Sequence, residues 1–184
     1  YIANSTGCSS IWGNSSPSTP YTVNDCGKGP AWSNSLFEDT AEFGFGMLLA
    51  QKTIRKRLFD ELTELSNKTS HEEIKEAVTG WKDTFNEGAE NSVRTDILVS
   101  TLEKFKEGEN ILKEKDFLSK KSQWVFGGDG WAYDIGFGGL DHVIASDQDI
   151  NIIVFDTEMY SNTGGQASKS TPMGAMAKFA AGGK

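Results

Sequence analysis

Gly128-Asp129-Gly130 and Asp156-Thr157 are the residues whose types and spacing could do chemistry. Glycines let a backbone approach a ligand closely. A helix opening directly after such a turn offers free N–H groups and the positive end of its dipole to phosphate. On these grounds alone a dinucleotide site stays open, since the glycines form a loose Rossmann-like pattern and Asp156 ends the following strand. Asp129 points elsewhere. A carboxylate inside a phosphate-binding turn repels a diphosphate unless a cation lies between them. Mg²⁺ suits that place, being hard, near-octahedral and commonly held by one or two protein oxygens plus phosphates. A second supplier of oxygens should then come from a neighbouring strand end. Asp156-Thr157 stands there, with twenty-five residues separating Gly130 from Asp156, enough for one helix and a returning strand.

The elements that must position these loops fall into three zones. Residues 122–184 read as a βαβ core: a short strand in Gln123-Trp124-Val125-Phe126, a glycine-bearing helix from Trp131 to Ala145, and an apolar strand Asn151–Phe155. A Gly/Ser/Thr loop follows, after which Pro172 opens an expected helix through Ala175, Met176 and Phe179. Strand, helix, strand, loop, helix predicts a parallel α/β sheet with ligands at the carboxyl ends of its strands. Residues 46–121 read as amphipathic helices. Ile54, Leu58, Leu62 and Leu65 recur at three- and four-residue spacing, as do Ile74, Val78, Trp81 and Phe85, and Ile97, Leu98, Leu102 and Phe105. Residues 1–45 are rich in Gly, Ser, Asn and Pro and read as an ordered loop, with Tyr1–Asn4 as the end of a strand.

Charge follows this division. The net charge of −8 is concentrated between Asp60 and Asp116, where fifteen acids face eight bases. The acidity therefore describes the solvated faces of the helical zone and not the glycine-rich loops, and no basic stripe suits nucleic acid. No apolar run approaches the ~18–20 residues that span a bilayer. Two cysteines, Cys8 and Cys26, make no disulfide framework and fit a reducing, cytoplasmic setting. The 184 residues begin at Tyr1 and stop at Lys184 like a segment cut from a longer chain.

Four stretches in the same order carry a specific resemblance. They are Gly7-Cys8-Ser9-Ser10-Ile11-Trp12-Gly13, Gly29–Asp39 with its Pro-Ala-Trp-Ser-Asn-Ser-Leu-Phe-Glu run, Gly127–Gly136, and Asp156–Gln166. Together they resemble the pyruvate:ferredoxin (flavodoxin) oxidoreductases. In thiamine-diphosphate enzymes generally, a Gly-Asp-Gly turn is followed, after a spacer of about this length, by an Asn or Asn-Asn; Asp156-Thr157 departs from that, as this family does. The resemblance implies a transketolase-like thiamine-diphosphate-binding α/β fold with a helical insertion, incomplete in this chain. It also implies a parent enzyme that oxidatively decarboxylates pyruvate with coenzyme A to acetyl-CoA and CO₂, passing electrons through iron–sulfur clusters to ferredoxin or flavodoxin. A homodimer, in the cytoplasm or in a hydrogenosome-like organelle, is the implied setting. Use of another 2-oxoacid, a nucleotide-binding Rossmann module, and a non-catalytic scaffold built on the acidic helices are the alternatives.

Carried over by position, the resemblance makes Asp129, Thr157 and the Met159 carbonyl ligands of Mg²⁺. Gly128, Gly130 and Trp131 shape the diphosphate pocket, with Glu158, Tyr160 and Ser161 in the same cofactor loop. Phe37 packs on the cofactor rings, and Asn162 lies close to the reacting carbon. Cys8 is one ligand of a [4Fe–4S] cluster whose other thiolates are not in this chain. The activating Glu has no candidate here either, so the isolated chain is expected to be inactive. Plainer roles stand beside these: Asp129 as a helix cap, Thr157 and Ser161 as turn formers, Trp131 and Phe37 as core aromatics. Cys26 reads as an incidental thiol, His71 as solvated and His142 as an ordinary helix residue.

Overall fold

The computed structural model describes residues 1–7, 9–10, 22–35 and 39–184. The chain divides into two compact units, one of residues 1–48 with 122–184, the other of residues 49–121.

The first unit is built on a four-stranded, all-parallel sheet of β1 (Ile2–Ser5), β2 (Trp32–Ser35), β3 (Trp124–Gly128) and β4 (Asn151–Phe155), in the order β2-β1-β3-β4. Ala3 pairs with Ser33 on one side and Val125 on the other, and Val125 pairs with Ile152. One sheet face buries Ala3 and Val125, together with Ala41, Trp131, Leu140 and Val143. The other carries Phe126, in edge-to-face contact with Trp32, Trp124 and Phe155.

Helix α1 (Thr40–Lys68) begins in this unit. It starts six residues before the expected boundary at Gly46, running through glycines that read as loop formers. Gly44 explains why: a Cβ there would lie 2.5 Å from Val125 Cγ2 and 3.1 Å from Ala3 Cβ, so only glycine lets the helix press onto β1 and β3. The region after β3 also departs from a single helix. Gly130–Ile135 forms a wide π-helical turn, in which the Gly136 N–H donates to the Trp131 carbonyl at 2.8 Å, and α5 (Phe137–Ala145) follows. The Trp131 indole fills the turn between Gly127 and Gly136, where added Cβ atoms would stand 2.1 and 2.3 Å from it.

The helix expected after Pro172 is absent. Residues 172–184 form turns, with Gly174 and Phe179 at φ of 83° and 64°, and the Gly174 and Lys184 backbones bonded to one another. Met173, Met176 and Phe179 are 84%, 77% and 88% exposed. The apolar side chains whose spacing suggested a helix are left unburied, and burial is what stabilises a short helix.

The second unit is helical, as the spacing predicts. The remainder of α1 packs with α2 (Glu72–Asp83), α3 (Ala89–Leu102) and the short α4 (Glu109–Leu112). Leu58, Leu62, Ile74, Val78, Trp81, Leu98 and Leu102 are buried, whereas Ile97 is half exposed. Arg55 is buried among them. Its guanidinium donates to the carbonyls of Leu118 and Phe85 and to Asn91 Oδ1, and lies 4.1 Å from the Phe85 ring centre. Burial lowers it to about 10. The acidic exterior carries exposed pairs such as Lys56–Asp60 and Arg57–Glu61, each worth little in water. His71 and Cys26 are exposed. Among the described residues, no helix is long and apolar enough to cross a membrane.

Candidate functional site

The strand order reverses direction between β1 and β3, and in such sheets ligands bind outside the carboxyl ends at this switch point. A small cleft lies there. Ser5, Thr6 and Gly7 line it from the end of β1, and Gly128, Gly130 and Trp131 from the end of β3. Met159, Tyr160, Asn162 and Thr163 line it from the loop after β4.

Asp129 and Thr157 follow the ends of adjacent strands, one residue beyond β3 and two beyond β4. The Asp129 side chain is fully buried. Its Oδ1 accepts from the Thr157 amide at 3.1 Å and hydroxyl at 3.0 Å. Its Oδ2 accepts from the hydroxyls of Ser168 at 2.5 Å and Ser170 at 2.9 Å. Burial alone would push this carboxyl up; the Ser168, Ser170 and Thr157 hydroxyls and the Thr157 amide outweigh it and hold the group below its ordinary range.

Thr157 Oγ1 also lies 3.0 Å from the Met159 carbonyl oxygen and 2.8 Å from Ser161 Oγ. The Thr157 hydroxyl has one proton, yet two oxygens that carry none, Asp129 Oδ1 and Met159 O, both sit at 3.0 Å. Carboxylate, hydroxyl and carbonyl oxygens are the ligands that a hard cation takes. In an octahedron with metal–oxygen bonds of about 2.1 Å, neighbouring oxygens stand about 3.0 Å apart. The structure thus brings the three expected Mg²⁺ ligands together, with Thr157 Oγ1 3.0 Å from each of the other two. Among the described residues no group of three or more His, Cys, Asp or Glu is suited to a metal, so this set relies on one carboxylate and neutral oxygens.

Local backbone makes the arrangement. Glu158 adopts φ of 60°, an uncommon left-handed conformation that turns the chain so that the Met159 carbonyl faces back to Thr157. The Asp156 carboxylate accepts from the Glu158 amide at 3.2 Å and from the Tyr133 hydroxyl at 3.4 Å, so it braces the turn instead of joining the oxygen cluster. Tyr160 lies against Gly130, where a Cβ would be 2.3 Å from the ring. Its hydroxyl donates toward the Gly130 carbonyl at 3.3 Å and Asp134 Oδ2 at 3.2 Å. Trp131 is both core and cleft lining: it is 2% exposed and its indole N–H has no partner among the described residues. Glu158, Thr157 and Ser161 are exposed at the surface of the loop. Cys8 and Phe37 lie outside the described residues.

The sequence reading missed Ser168, Ser170, Thr171 and Asp134. The run of hydroxyls in Ser168-Lys169-Ser170-Thr171 is visible, but serine and threonine before a proline signal a turn equally well.

Fold and site together define a parallel-sheet α/β protein with a small cleft at its switch point and a cluster of oxygens from Asp129, Thr157 and Met159 after the ends of β3 and β4. Comparison with known proteins narrows this. No family model matches the chain. Pyruvate-flavodoxin oxidoreductase of Klebsiella pneumoniae is 56% identical over 187 residues, covering 100% of this chain and 16% of the relative. Pyruvate:ferredoxin oxidoreductase of Moorella thermoacetica is 51% identical over 192 residues, again 100% of this chain and 16% of the relative. Mitochondrial pyruvate dehydrogenase [NADP(+)] of Euglena gracilis is 50% identical over 188 residues, 10% of its length. The chain therefore corresponds, from end to end, to one segment of the pyruvate-flavodoxin and pyruvate:ferredoxin oxidoreductases, and spans 16% of the length of the first two.

Proposed function

We propose that this chain is the metal- and diphosphate-binding part of an enzyme that oxidatively decarboxylates pyruvate. Coenzyme A is the acyl acceptor, acetyl-CoA and CO₂ are the products, and flavodoxin or ferredoxin takes the electrons. The observation that carries the reading is the convergence of Asp129 Oδ1 and the Met159 carbonyl on the single hydroxyl of Thr157, each at 3.0 Å. The names of the relatives support pyruvate as substrate and the electron carriers as partners.

In this reading Asp129, Thr157 and the Met159 carbonyl hold Mg²⁺. Gly128, Gly130, Trp131, Tyr160 and Ser161 border the diphosphate, with the Glu158 turn setting the loop. When bound, thiamine diphosphate supplies the electron sink for decarboxylation, and the protein orients it. Asn162 lines the cleft, and in this reading it offers its amide to substrate near the reacting carbon, where a fixed donor stabilises developing charge. Phe37 packs on the cofactor rings, and Cys8 is one thiolate of a [4Fe–4S] cluster completed by other parts of the parent protein. Residues 1–45, which add β1 and β2 to the sheet, serve as the cluster-proximal region, 46–121 as a helical insertion and 122–184 as the binding core. The parent works as a homodimer in the cytoplasm; the Euglena relative is mitochondrial by name.

Titration calorimetry with thiamine diphosphate on the full protein carrying this chain tests the reading. Binding should require Mg²⁺, vanish with a chelator, and be lost in Asp129→Ala. Equal binding by that variant, or binding without divalent metal, overturns it.

A further inference from the structure

Resting on the proposed metal site, we infer that the Ser168–Thr171 turn is a clamp that restricts Asp129 to one coordinating oxygen and so selects Mg²⁺ over Ca²⁺. The two carboxylate oxygens of Asp129 have divided partners. Among the described residues Oδ1 accepts from Thr157 alone, whereas Oδ2 is taken by two hydroxyl donors, Ser168 at 2.5 Å and Ser170 at 2.9 Å. Hydroxyl bonds to a buried carboxylate are charge-assisted and stronger than neutral ones. For Oδ2 to join a metal it must surrender both.

The clamp is itself braced. The Ser168 amide donates to Thr171 Oγ1 at 2.9 Å, and that hydroxyl donates to the Glu158 carbonyl, immediately before Met159. The Lys169 amide donates to Asp134 Oδ2 at 3.1 Å, and the same oxygen holds the Tyr160 hydroxyl. The donors on Oδ2 and the loop supplying the Met159 carbonyl therefore move as one piece. Ser168 and Thr171 are buried, so the turn has little freedom to rotate away.

Cation preference follows from ligand number. Mg²⁺ takes six oxygens at about 2.0–2.1 Å and accepts a one-oxygen carboxylate. Ca²⁺ takes six to eight at about 2.3–2.6 Å and commonly uses both oxygens of a carboxylate. A carboxylate locked by its neighbours favours the smaller ion. Ser168 and Ser170 are in this sense positioning residues, acting through Asp129.

The test uses the full protein carrying this chain, stripped of metal. Mg²⁺ and Ca²⁺ are titrated separately with saturating thiamine diphosphate, and cofactor retention is followed by tryptophan fluorescence. Wild type should prefer Mg²⁺. Ser168→Ala/Ser170→Ala should lose about tenfold of that preference, the scale on which groups supporting a metal ligand act. Ser170→Thr, which keeps the hydroxyl, should retain it. If the double variant does not fold, Ser170→Ala alone decides, with a smaller shift in the same direction expected. An unchanged Mg²⁺/Ca²⁺ ratio, with retention still metal-dependent, overturns the clamp. Retention independent of metal in wild type overturns the metal reading beneath it.

Discussion

Asp129 and Thr157 meet across the ends of adjacent parallel strands, with Oδ1 and Oγ1 3.0 Å apart. The hydroxyl, not the methyl, is the part of Thr157 that faces the carboxylate. Thr157→Val keeps the shape and deletes the oxygen, so Mg²⁺-dependent thiamine-diphosphate binding should weaken by at least tenfold. Thr157→Ser should recover most of it. Calorimetry on the full protein separates the two, and a valine variant that binds normally would remove Thr157 from the ligand set.

Asp129 also makes stability depend on pH. Its carboxyl is held below the ordinary value, so on acidification the unfolded chain takes up this proton before the folded one does. A group with a depressed folded pKa contributes stability that is present above its unfolded value, ~3.9, and is lost as pH falls through the folded value. Urea unfolding with chelator should therefore show a gap between wild type and Asp129→Asn that is constant from about pH 7 to 5. It should shrink below about pH 4. A gap that widens on acidification would contradict the hydrogen-bonding assigned to this carboxylate.

Two glycines two residues apart in α1 should respond oppositely to the same change. At Gly46 an added Cβ meets nothing within 4 Å, so Gly46→Ala should stabilise by about 0.5–1 kcal/mol through helix propensity. At Gly44 the Cβ would stand 2.5 Å from Val125 Cγ2, and forcing helix from sheet costs about 1–3 kcal/mol, more than propensity returns. Gly44→Ala should destabilise, as read by urea unfolding midpoints.

How much of this was legible depends on whether a residue's role shows in its own type. β4 is a continuous apolar run, and Asp129 is a charge set among glycines; both announce themselves. β2 does not. Trp-Ser-Asn-Ser is a polar edge strand, fixed by pairing with β1 thirty residues away, and it reads as loop. Gly44 and Gly46 look alike in sequence, though one is required by packing and the other is exposed. Ser168 and Ser170 reach Asp129 from 39 and 41 residues on, a contact no local pattern encodes. The missing helix beyond Pro172 errs the other way: the apolar period is present, but Met173, Met176 and Phe179 find nothing to cover them.

Glu158 offers a test of whether backbone or side chain matters in the cofactor loop. Its φ of 60° costs an ordinary residue about 1–2 kcal/mol, and its side chain is exposed. The Glu158 carbonyl accepts from Thr171, and the turn that follows returns the Met159 carbonyl to Thr157. If the turn is what matters, Glu158→Gly should bind Mg²⁺ and cofactor within about threefold of wild type, because glycine adopts this conformation freely. Glu158→Ala should do the same, since it removes the carboxylate but keeps the Cβ. Glu158→Val, β-branched and poorly suited to positive φ, should weaken binding by about tenfold, equivalent to ~1.4 kcal/mol. Equal losses in the glycine, alanine and valine variants would instead assign the effect to the carboxylate, and the left-handed turn would no longer explain how Met159 reaches the cluster.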